Sequence, residues 1–102
     1  IGVDSLSELS NRKGVHFIDA RERAEYEVSH LKDATWVGYD DFDMSRLQHI
    51  PKEDTLVVYC SIGKRSEDIT RKLQQAGYNA SNLYGGGGRM AVISHFNHHY
   101  LA

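Results

Sequence analysis

Residues Thr55–Tyr59 read TLVVY and run without a break into CSIGKRS, Cys60–Ser66. The first stretch is short, β-branched and apolar without alternation, the pattern of a strand buried on both faces. The segment that follows, SEDITRKLQQAG, sets Ile69, Leu73 and Ala76 on one helical face, with acidic residues in its first turn and Gly77 as its stop. A strand, a short loop and a helix in that order predict an α/β unit with parallel strands.

The flanking sequence repeats this alternation. Asp4 or Ser5 can cap a short helix bearing Leu6 and Leu9, ended by Gly14. VHFIDA (Val15–Ala20) reads as a strand, and RERAEYEVSHL (Arg21–Leu31) as a helix with Ala24, Val28 and Leu31 at helical spacing. TWVGY (Thr35–Tyr39) is a brief extended piece. DFDMSRLQHI (Asp41–Ile50) has the spacing of an amphipathic helix through Phe42, Met44, Leu47 and Ile50, and Pro51 stops it. A strand follows near Ala80–Tyr84, then the run Gly85–Gly88 and a helical segment beginning at Arg89. The expected fold class is α/β, as one domain over residues 1–102.

Bulk properties exclude several functions. The 102 residues carry a net charge of −2, with 40% hydrophobic and 25% charged residues. That length supports a core without staples, and that charge gives no basis for a nucleic-acid partner. No apolar run approaches the ~18 residues of a membrane span, so no membrane partner is expected. The single cysteine rules out an internal disulfide, a multi-thiolate metal site and a C-x-x-C redox pair. A lone thiol fits a reducing compartment, so the expected location is cytoplasmic. The chain opens on Ile1, as a processed chain or a domain of a longer protein does, and no signal-like or lipidation segment is present.

That cysteine falls where open α/β sheets collect ligands, beyond the carboxyl end of a strand. The loop after Cys60 leads into a helix N-terminus, whose outward N–H groups favour thiolate over thiol. Lys64 and Arg65 push the same way. An ordinary lone cysteine is a small buried hydrophobe. Here Gly63, two cations and a helix start coincide, which points to a nucleophile in an anion-binding cradle.

These residues resemble a known family. CSIGKRS is similar to the C-x-x-G-x-R-S loop of single-domain rhodaneses, the thiosulfate-type sulfurtransferases. FIDARERAEYEVSHLKDA (Phe17–Ala34) resembles the family's other signature, an acidic-x-Arg followed by a Glu-aromatic-x-x-x-His-hydrophobic-x-x-Ala run, and LYGGGG resembles its last strand and double glycine. The resemblance implies a three-layer α/β/α domain with a five-stranded parallel sheet. It implies a ping-pong transfer in which Cys60 takes a sulfane sulfur from thiosulfate or a persulfide donor and yields it to cyanide, a thiol or a protein thiol partner. By the same resemblance, the backbone of Ser61, Ile62, Gly63, Lys64, Arg65 and Ser66 is expected to form the cradle, with Asp19 and Arg21 supporting the site. Arg65 is expected to turn inward onto an acidic residue, leaving Lys64 as the outward cation. His30 is read as structural. No cofactor is implied.

Two alternatives belong to other classes. One is a non-catalytic rhodanese-like interaction or regulatory module, disfavoured because the cysteine and both cations are kept. The other is a phosphatase or arsenate reductase of related fold. Those enzymes use C-x5-R, whereas this chain has C-x4-R, a shorter loop that suits a sulfur-centred substrate by analogy. His95 and His99 are four apart but lack nearby carboxylates or thiols, so no metal site is expected. The sequence departs from the family after the double glycine, where two further glycines, Arg89 and Met90 replace an apolar residue and a tryptophan.

Overall fold

The computed structural model describes residues 12–60 and 63–83. Their core is a sheet of four parallel strands, β1 (Val15–Asp19), β2 (Thr35–Trp36), β3 (Thr55–Tyr59) and β4 (Asn79–Asn82), in the spatial order β2-β1-β3-β4. The expected strand near Ala80–Tyr84 is β4. The expected fifth strand, the expected N-terminal helix, the Gly85–Gly88 run and the histidine-rich tail fall outside the described residues.

β3 is central, as its uninterrupted apolar pattern requires. It pairs with β1 from Val15↔Thr55 to Asp19↔Tyr59 and with β4 from Thr55↔Asn79 to Val58↔Asn82. Leu56, Val57, Val58 and Tyr59 are fully buried, although successive residues point to opposite faces. Both faces are therefore covered at this strand, which is the condition for a layered α/β fold.

On one face Ile18, Leu56, Val58, Cys60 and Ala80 form a single core with Ile69 and Leu73 of α2 (Gly63–Gln75), and with Val37, Leu47 and Ile50. Burying each large aliphatic side chain contributes about 1.5–3 kcal/mol. Gly77, at φ +95°, ends α2 in a Schellman motif. Its amide donates to Gln74 O at 3.1 Å and that of Tyr78 to Leu73 O at 3.0 Å.

Three elements differ from the sequence reading. The helix expected over Arg21–Leu31 is confined to α1, Arg23–Val28, where Glu22 and Glu25 form a capping box. Val28, expected on the buried face, is 85% exposed, and Ala24 is exposed too. Leu31 is buried through the turn that follows instead. The helix expected over Asp41–Ile50 is a 3-10 turn at Met44–Leu47. Asp43 accepts from the Ser45 amide at 3.0 Å and from its hydroxyl at 2.6 Å, and these local bonds compete with α-helical pairing. The same two bonds, the hydroxyl's first, hold the Asp43 carboxyl below its ordinary range. Finally, β2 stops after Trp36 because Gly38, at φ +83°, turns the chain.

Candidate active site

The carboxyl edge of the sheet gathers the residues singled out from sequence. Asp19 ends β1, Arg21 follows it, and Cys60 follows β3 with its side chain 1% exposed. The Ser66 amide, in the first turn of α2, donates to Cys60 Sγ at 3.2 Å. The sulfur therefore sits against the N-terminus of α2, where backbone N–H groups lack helical partners. Ser61 and Ile62 lie outside the described residues, while Gly63 opens the helix.

α2 begins three residues earlier than its charge pattern suggests, so Lys64 and Arg65 occupy the first turn and the acids come later. Cations there oppose the helix dipole. Arg65 turns inward, with Nη2 3.3 Å from Glu25 Oε1 and Nη1 4.0 Å from Glu22 Oε1. Lys64 is exposed. The inward and outward assignment made from sequence therefore holds. Beside this pair, the Glu22 carboxyl is held above its ordinary range by a hydrogen bond to Asp40 and by that group's charge.

Asp19 is fully buried, and its carboxylate is saturated by donors. Oδ1 accepts from the Arg21 amide at 2.9 Å and from Arg21 Nε at 3.1 Å; Oδ2 accepts from Arg21 Nη2 at 2.9 Å and from the Tyr59 hydroxyl at 2.7 Å. Arg21 Nη2 also donates to Ser29 O, which ties the end of α1 to the same point. Burial opposes the charge on Arg21, but the hydrogen bonds and charge of Asp19 outweigh it and raise its pKa above the ordinary value. Burial, reinforced by the Asp19 charge, pushes the Tyr59 phenol far above its ordinary value, so it stays a neutral donor. Its oxygen also accepts the Leu31 amide at 3.0 Å.

Asp19 and Arg21 thus form a brace whose third member, Tyr59, directly precedes Cys60. Tyr59 was absent from the sequence-derived site. The available signal was a tyrosine in an otherwise aliphatic buried strand, whose hydroxyl must find a partner. Also unforeseen was Asn82 of β4, which accepts a hydrogen bond from the Ser66 hydroxyl. His30 bonds Tyr26 O through Nδ1 at 2.8 Å and stacks on the Tyr26 ring at 3.8 Å, consistent with a structural part. Among the described residues no three His, Cys, Asp or Glu side chains are grouped to hold a metal ion. No helix among them is long and apolar enough to cross a membrane.

A parallel α/β sheet with a cysteine at the end of a central strand, facing a helix N-terminus, places the chain among the layered α/β domains. Within that class, the rhodanese-like domain model matches residues 2–87, and the chain belongs to that family. The tRNA uridine(34) hydroxylase of Yersinia enterocolitica is 31% identical over 91 residues, covering 82% of this chain and 26% of the relative. The chain therefore spans about a quarter of the length of the curated relatives it matches. The Alr3790 protein of Anabaena superposes with a TM-score of 0.75 at 22% identity, covering 92% of this chain and 85% of that one. A rhodanese from E. coli, solved with anions, gives 0.59 at 25% identity, covering 78% of this chain and 92% of that one. A rhodanese-related protein from Thermoplasma volcanium gives 0.70 at 22%, covering 93% and 90%.

Proposed function

We propose that the chain is a sulfurtransferase working through a Cys60 persulfide. The observation that carries this reading is the Ser66 amide aimed at Cys60 Sγ from a helix N-terminus. The Cys60 thiolate attacks the outer sulfur of thiosulfate; a new S–S bond forms while the donor's S–S bond breaks, and sulfite leaves with the electron pair. A persulfide donor reacts in the same way and leaves as a thiolate. Cyanide or an acceptor thiolate then attacks the terminal sulfur, carries it off as thiocyanate or a persulfide, and regenerates the Cys60 thiolate. Covalent capture splits one difficult transfer into two easier ones, and the Ser66 amide aimed at the sulfur stabilises the charge. The anions solved with the E. coli rhodanese support an anion-binding cradle of this kind.

Intact mass measurement after incubation with thiosulfate tests the reading. The expected result is a gain of one sulfur, removed by cyanide and absent from Cys60→Ser. A folded sample that gains no sulfur from thiosulfate or from a persulfide donor points instead to a non-catalytic interaction module. Hydrolysis of a phosphate ester would move the reading to the phosphatase class.

The curated relatives favour a second reading, in which the domain's cysteine chemistry serves tRNA modification. A net charge of −2 leaves this chain little capacity to neutralise phosphates, so the RNA grip would have to come from elsewhere. Retardation of tRNA by this chain alone at physiological salt would put the second reading first.

A further inference from the structure

We infer that Asn82 positions the reacting sulfur through Ser66, and that its neutral amide is what allows the site to hold a negative charge there. The inference rests on Cys60 being the reacting atom. Asn82 is paired with Val58 across the β3–β4 ladder, and the Leu83 amide closes that ladder onto Val58 O at 2.8 Å. Cys60 lies two residues beyond Val58, so Asn82, Val58 and Cys60 share the sheet face covered by α2. From that fixed point the Asn82 Oδ1 accepts a hydrogen bond from the Ser66 hydroxyl. Ser66 is fully buried, and its amide is the donor to Cys60 Sγ at 3.2 Å. One side chain on the sheet therefore sets where the first turn of α2 sits, and through it the direction of the amide that meets the sulfur.

Most charged groups at this edge have an opposite partner, although Glu22 also faces the like charge of Asp40. Asp19 is met by Arg21 and Tyr59, Arg65 by Glu25 and Glu22, and Asp68 by Tyr39 and Arg71, while Lys64 is exposed. A carboxylate at position 82 would keep the acceptor and the size of the native amide. It would also add a negative charge two hydrogen bonds from the sulfur, which disfavours thiolate.

The test is the rate of Cys60 alkylation by iodoacetamide from pH 5 to pH 10 in the reduced full chain, with Tm measured in parallel. Asn82→Asp is expected to hold Tm within a few degrees and move the alkylation profile up by about one pH unit. Asn82→Ala is expected to slow alkylation at neutral pH about fivefold, and Asn82→Ser, which restores a neutral acceptor, to recover part of it. Ser66→Ala reads the same contact from its other side should the Asn82 variants fold poorly, and its effect should be non-additive with theirs. A merely structural Asn82 would lower Tm and leave the profile of every folded variant unmoved; that outcome overturns the inference. Alkylation needs no sulfur donor. A shifted profile in a protein that takes up no sulfur would therefore retain the positioning role while rejecting the sulfurtransferase reading.

Discussion

The Tyr59 hydroxyl donates to Asp19 Oδ2 at 2.7 Å, joining residues 40 positions apart in the chain. Through that bond the last residue of β3, and with it the start of the cysteine loop, is fastened to the end of β1. Tyr59→Phe removes a donor from a buried carboxylate and an acceptor from the buried Leu31 amide. The expected loss of stability is about 2–4 kcal/mol, read as a lower urea midpoint at pH 7.

The same residue predicts an alkaline limit to stability. Its phenol is held neutral in the fold, above the ordinary tyrosine value of about 10. Below that pH both states keep the proton and the contribution is complete. Above it the unfolded chain loses the proton while the fold retains it, so stability falls by about 1.4 kcal/mol per pH unit. Tyr26, raised chiefly by burial, acts in the same direction. Urea unfolding between pH 8 and pH 11 should therefore show a shallower alkaline decline in Tyr59→Phe than in the native chain. Equal declines would mean that Tyr59 ionises freely in the fold.

Breaking the brace at its charges should cost more. Asp19→Asn leaves the Arg21 guanidinium buried at 4% exposure without its carboxylate. Losing one partner of a buried ion pair costs about 3–5 kcal/mol, enough to unfold a domain of this size or bring it close. Arg21→Lys keeps the charge but loses the fork that serves both Asp19 oxygens and Ser29 O, so it should fall between Asp19→Asn and the native chain in Tm.

Gly38 tests the turn that ends β2. A Cβ there would stand 2.7 Å from Asp41 Oδ1 and 3.2 Å from Arg46 Nη1, on a backbone at φ +83°. The same Arg46 nitrogen donates to Val37 O and Asp41 O, both at 2.9 Å, and the guanidinium lies 4.2 Å from the centre of the Trp36 ring. Gly38→Ala should destabilise by about 1–3 kcal/mol. Displacement of Arg46 should also change the emission of Trp36, the only tryptophan.

What was legible in the sequence had a local cause. TLVVY needed no partner information to be read as a buried strand, and Ile69, Leu73 and Gly77 marked the inner face and end of α2. The misread segments depended on competition: Asp43 and Ser45 bond each other and hold a 3-10 turn where apolar spacing alone predicts a longer helix. Cys60, Asp19 and Arg21 were found through motif, but Tyr59, Glu25 and Asn82 enter the site only when the sheet closes. The Arg65–Glu25 pair spans 40 residues, and no periodicity in either segment records it.

If the chain transfers sulfur as proposed, that pair bears on which donors the loop accepts. Glu25 offsets the charge of Arg65 within the first turn of α2, so Lys64 is the cation left facing solvent. Removing the exposed charge with Lys64→Gln should raise the KM for thiosulfate about threefold with kcat little changed, because attraction of a free anion acts on binding. The difference should shrink as salt is added. Glu25→Gln should act in the opposite sense and lower the KM by a similar factor. It should cost less than about 1 kcal/mol of stability, since the pair is partly exposed. Equal KM values for all three proteins at low ionic strength would show that the loop backbone alone holds the donor and that neither charge selects it.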